Sequence, residues 1–183
     1  MARLSLPSPT KTETVFLGCL LVVLSTLLIF NFRAAQVKTR DSQRKNDLKH
    51  LYGTLDAYVT DFGFFPPAKT GQIVACGTPQ NLIPCQWGKD DLTDITSSPP
   101  YIYVSPLPHD PQSAKGYQYV YFSSGDQFQI LAHLEREQDD EFMPQVKARQ
   151  IKCGVAICNF GIASSGTALD KSLEAQPKPQ PLP

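Results

Sequence analysis

The stretch VFLGCLLVVLSTLLIFNF, residues 15–32, decides the reading of this chain, because it runs for 18 positions without a charged side chain. At 1.5 Å rise per residue a helix of that length covers roughly 27 Å, close to a bilayer hydrocarbon core of about 30 Å. The charged segment that follows has no Gly or Pro before Gly53. Helical periodicity continues through it: Leu48, Leu51, Leu55, Tyr58, Val59 and Phe62 recur at steps of three and four, on one face. The expectation is one nearly continuous helix from residue 13 to residue 61, roughly 70 Å long. It starts as a membrane span and ends as an amphipathic element. Gly63 and the Phe64-Phe65-Pro66-Pro67 run stop it. A cleaved signal peptide is the rival reading. The apolar run exceeds the roughly 7–15 residues of a signal core, and Arg33 precedes Ala34-Ala35, where cleavage needs a small residue.

With 183 residues there is room for one ordinary domain beyond the anchor. The formal charge is zero and the pI near 6.8, so nucleic acid is not an expected partner. Arg33, Lys38, Arg40, Arg44, Lys45 and Lys49 cluster locally, with Asp41 and Asp47 as partial offsets. They read as a solvated helix face rather than a lipid-headgroup patch. Lys and Arg counts beside the span favour a cytoplasmic C-terminal flank. The cysteines favour the opposite side. Cys76 with Cys85, and Cys153 with Cys158, form two close pairs that suit local disulfides in an oxidising compartment, while Cys19 sits inside the apolar run. Zinc is the alternative for the four thiols, although neither spacing is that of a common zinc ligand pair.

Downstream, residues 68–100 are rich in Gly, Pro, Thr and Asp and read as a long ordered loop around Trp87, with a short helical turn at Leu92 and Ile95. GYQYVYF (116–122) alternates aromatic and other residues, which predicts a strand. Ser123-Ser124-Gly125-Asp126 is a turn, and FQILAHL (128–134) returns as a hairpin. A third strand is expected at 150–157, and AQPKPQPLP (175–183) as a Pro-rich tail. The fold class is α+β: a long N-terminal helix packed on one side of a small antiparallel sheet, in two layers.

No nucleotide-binding, metalloprotease, serine-hydrolase or EF-hand motif is present in the sequence, and the expected role is non-enzymatic. His50, His109 and His133 fall on a helix, a turn and a strand and do not suggest a catalytic cluster. Glu135, Glu137, Asp139, Asp140 and Glu141 read as a solvated acidic loop, with oxygen ligation of calcium as the less favoured reading; no cofactor is expected. Tyr117, Tyr119, Tyr121, Phe122 and Phe128 lack the interleaved basic residues of a nucleobase-stacking surface and read as core and subunit packing. Cys19 reads as a small buried apolar residue rather than an acylation site.

The order of features from residue 13 to residue 135 resembles type IV pilin-like proteins, above all the major pseudopilin of type II secretion systems. Asp47-Leu48, Leu55-Asp56-Ala57-Tyr58, Asp61-Phe62-Gly63-Phe64-Phe65-Pro66, Leu107-Pro108-His109-Asp110-Pro111 and Tyr117-Gln118-Tyr119 stand where such proteins carry their motifs, in order. The resemblance implies a cytoplasmic N-terminal segment (1–13), a transmembrane helix (14–32), an extracytoplasmic pilin-like head (33–169) and a mobile tail (170–183). It implies lipid and other pilin-like subunits as partners, met through the N-terminal helix. Glu13, Leu55, Tyr58, Gly63, Pro66, Asp110 and Pro111 become the assembly and structural residues. Glu13 falls at the position of the family's assembly glutamate, and it is also an acid suited to the positive end of a helix dipole. The chain departs from the family at its processing site. Ser8-Pro9 stands in place of the Gly-Phe bond cut by prepilin peptidase, which argues for a retained anchor. A membrane-tethered ligand-binding or adhesion module, with its ligand held near the loop from Cys76 to Trp87, is the alternative.

Overall fold

The computed structural model describes residues 11–94 and 96–173. Ser8 and Pro9, Ile95 and the Pro-rich stretch 174–183 therefore lie outside the described residues. The chain is α+β, with one long N-terminal helix and several small antiparallel sheets.

Helix α1 spans Lys11–Phe62, one or two residues beyond each end of the expected range. The chain divides at Thr39/Arg40 into two compact units. In the second unit the apolar stripe of α1 is fully engaged: Leu48, Leu51 and Leu55 are inaccessible and Tyr58 nearly so. Each such leucine contributes about 1.5–3 kcal/mol through burial. At its end Gly63 adopts φ +76° and its N–H bonds the Val59 carbonyl at 2.7 Å, a left-handed cap that only glycine adopts without cost.

The central sheet has the order β10-β7-β6, with β6 at Val120–Ser123, β7 at Phe128–Ala132 and β10 at Phe160–Ala163. The β6–β7 hairpin holds Val120 opposite Leu131 and Ser123 opposite Phe128, as the alternation indicated. Every residue of β7 is buried, so both faces of this sheet are covered. Tyr121, Phe128 and Ile130 join the α1 stripe. Val120 and Leu131 meet Val146 of helix α2 (Pro144–Ala148) and the Cys153–Cys158 pair on the other side. The expected two-layer arrangement is thus corrected to a sheet packed on both faces.

Three further expectations are revised. Residues 68–100 contain four strands rather than a loop: β1 at Ala68–Lys69, β2 at Gln72–Thr78, β3 at Asn81–Pro84 and β4 at Leu92–Asp94. Leu92 is thereby in a strand, paired with Val104 of β5 (Tyr101–Val104), and not in a helical turn. The 150–157 segment forms a separate small hairpin, β8 (Lys152–Cys153) with β9 (Ala156–Ile157), and the third strand of the sheet is β10. The strand at 116–122 is shorter than its aromatic alternation, since Tyr117 makes only an isolated bridge to Gly154.

Candidate functional site

Two regions of α1 carry chemistry, and each belongs to its own unit. In the first, every side chain from residue 15 to residue 32 is exposed, with Phe16 at 70% and Leu28 at 69%. Its two hydroxyls are satisfied within the helix: Ser25 Oγ donates to the Leu21 carbonyl at 2.7 Å and Thr26 Oγ1 to that of Val22 at 2.8 Å. A helix that spends its polar groups on its own backbone suits an apolar environment. By length and composition it is able to cross a membrane. Cys19 is exposed on this helix and is free. Glu13 lies in the first turn, where a carboxylate opposes the positive end of the helix dipole.

The second region draws Arg40, Arg44 and Lys45 out of the expected solvated basic face into a charge cluster, whereas Arg33, Lys38 and Lys49 are exposed as expected. Arg44 is inaccessible to solvent. Its Nε and NH2 donate to the two oxygens of Asp110 at 2.8 and 3.0 Å, and NH1 donates to Asp41 and Glu135, both at 2.8 Å. A fork this planar matches a carboxylate on each side, which a lysine could not do. Asp41 also accepts the backbone N–H groups of Glu135 and Arg136, and Arg40 grips Glu135 through two bonds of 2.7 Å. Burial opposes the charge on Arg44, but Asp110, Glu135 and Asp41 together raise its pKa further above the ordinary value. Burial likewise works to raise the Glu135 carboxyl, yet hydrogen bonds from Arg40 and Arg44 hold it below the usual range. Outward along α1, Lys45 pairs with Asp139 at 3.0 Å and Lys49 with Glu141 at 3.4 Å.

These pairings correct the reading of 135–141 as a solvated loop. The oxygens that Glu135 and Asp139 could offer calcium are taken by cations and by a backbone N–H. Among the described residues no group of three potential ligands is placed to hold a metal. The four paired cysteines form the disulfides Cys76–Cys85 and Cys153–Cys158, which leaves those thiols nothing to offer zinc. His50 and His109 are exposed, and His133 Nδ1 lies 2.7 Å from the Ile157 carbonyl.

The other singled-out residues are architectural. Leu55 and Tyr58 lie in the core, where burial pushes the Tyr58 hydroxyl up to about 12. The Pro66 carbonyl accepts the buried Tyr121 hydroxyl at 2.9 Å. Asp110 starts the turn into Pro111, with its Oδ1 accepting the Gln112 N–H at 2.7 Å, while also anchoring Arg44. Asp47 accepts the Tyr119 hydroxyl at 2.7 Å. Burial raises the Asp47 pKa, and that hydrogen bond offsets part of the rise. From the sequence Arg44 read only as one of six basic residues on a solvated helix face. The available signal was the i, i+4 spacing of Arg40, Arg44 and of Lys45, Lys49 set against an acidic run far along the chain.

Compared with protein families, with curated proteins and with solved structures, the chain gives no match.

Proposed function

We propose that this chain is a non-enzymatic, membrane-anchored subunit of pilin-like type, a structural component of a type II secretion or type IV pilus-like assembly. The observation that carries the reading is the contrast along α1. Residues 15–32 present only exposed, mostly apolar side chains, whereas residues 41–58 bury a stripe in the head. An apolar surface of that length needs lipid or a like surface to cover it. Copies of the same helix provide one, and the bilayer the other. The ordered motifs from Asp47 to Tyr119 support the same reading.

The head stands outside the cytoplasm in this proposal, supported by two formed disulfides. The subunit remains permanently anchored, since Ser8-Pro9 replaces the family's cleavage site. Glu13 then acts as a helix-terminal acid rather than as the partner of a neighbour's freed amino terminus. Co-expression of two differently tagged full-length copies tests the assembly: each tag is expected to recover the other after solubilisation, and recovery of single copies alone contradicts it. Peptide mapping tests the retained anchor, and a mature N-terminus at Pro9 would overturn that part.

A further inference from the structure

We propose that the head carries a binding cleft for a neutral, extended saccharide, formed where the loop after β3 faces the segment 113–118. The cleft is open to solvent, about 600 Å³ in volume, and its lining includes Gln72, Gln86, Trp87, Ser113, Tyr117 and Gln118. That volume lies within the range of small-ligand sites. The proposal concerns the isolated head and does not depend on how the chain assembles.

The lining chemistry narrows the ligand. Among the described residues, the amides of Gln72, Gln86 and Gln118 and the hydroxyl of Ser113 make no hydrogen bond within the fold. An amide donates and accepts at once, which is what a row of hydroxyls requires. Trp87 and Tyr117 are half-buried, Trp87 in a T-shaped contact with Tyr119 and Tyr117 against His133 and the Arg44 guanidinium; the ring surface they leave in the cleft is of the kind that covers the C–H faces of a pyranose. The Trp87 Nε1–H is buried with no acceptor among the described residues, a further donor that the fold leaves unsatisfied. Charge contributes little. Asp110 also lines the cleft, but its oxygens are committed to Arg44 and to the Gln112 N–H. Lys89 is the one lysine or arginine of the lining, too little for an anion site.

The walls are fixed before any ligand arrives. One is tied by the Cys76–Cys85 disulfide, by the Gly88 N–H on the Leu107 carbonyl at 2.8 Å and by the Gln86 N–H on Asp90 at 2.7 Å. A side chain at Gly88 would fall 2.6 Å from the imidazole of His109, so glycine is what lets these two segments close up. The other wall is tied by the bridge of Tyr117 to Gly154, beside the Cys153–Cys158 disulfide. Pre-ordered walls spare a ligand the cost of ordering them.

Trp87 is the sole tryptophan of the chain, so its emission reports on the cleft alone. Full-length protein in a polyoxyethylene detergent, which bears no sugar headgroup, is titrated with cellohexaose, chitohexaose and hexaglutamate. At least one of the two saccharides is expected to give a saturable change with Kd below about 1 mM, unaltered between 50 and 500 mM NaCl. Gln86→Ala and Gln118→Ala should each weaken it about five- to tenfold at unchanged Tm, with Gln127→Ala, outside the cleft, binding as the parent does. Silence with both saccharides overturns the proposal. So does a response to hexaglutamate alone, or saccharide binding indifferent to both amide variants.

Discussion

At the residue scale the decisive group is Arg44, a fully buried cation that balances Asp41, Asp110 and Glu135. Replacing it by alanine leaves Asp41 and Asp110 buried without their counter-ion, and the expected loss is about 3–5 kcal/mol in urea unfolding. Arg44→Lys should recover only part of that, because one ammonium cannot serve three carboxylates in a planar fork. Arg40→Ala, nearer the surface, should cost about 1 kcal/mol or less. Acid acts on the same cluster. Glu135 and Asp139 have depressed pKa values, burial opposing the shift and their hydrogen-bonded partners outweighing it. Their stabilisation is complete above the ordinary carboxylate range of about 4 and is lost as pH falls through the folded values. Asp47, raised chiefly by burial, acts with the opposite sign: its contribution is present at low pH and is lost as pH rises through its folded pKa. Asp47→Asn should therefore leave the steep acid limb below about pH 4 in place. A thermal-unfolding series in pH, read on parent and Asp47→Asn, checks both signs.

At the scale of elements, the C-terminal half of α1 and the β6–β7 hairpin form the framework, and substitutions sort accordingly. Leu51→Ala opens a cavity in the stripe and should cost about 2–5 kcal/mol, while Gly63→Ala forces a left-handed φ of +76° on a residue with a Cβ and should cost about 1–2 kcal/mol. Removing the Cys76–Cys85 link by a double serine substitution should cost about 2–3 kcal/mol by freeing the unfolded chain. Urea unfolding of each variant measures these. The long helix and the hairpin were legible because their periods of 3.6 and 2 are local properties of the chain. The strands at 72–84 and 92–104 were not. They are short and partly exposed, and β2 with β3 hides in Gly- and Pro-rich composition that reads as loop. The ends of the strand at Tyr117 and the position of the third strand depended on pairing partners that no local pattern reveals. The charge cluster was hidden for the same reason, since Arg44 meets Asp110 and Glu135 across 66 and 91 residues of sequence.

At the scale of the whole molecule, the decisive element is a helix whose residues 15–32 are mostly apolar, self-satisfied in their hydroxyls and uncovered by the described residues. The segment was legible from its lack of charge, and its exposure in the structure adds that the described residues bury none of it. The most direct test places a photo-crosslinking amino acid at Leu21 or Leu28 of the full-length protein in its native membrane. The expected result is a ladder of multimers of this chain, abolished when the crosslinker is moved to the buried Leu51. A membrane-bound protein that yields only monomer at both positions would contradict the proposal that these helices pack against one another.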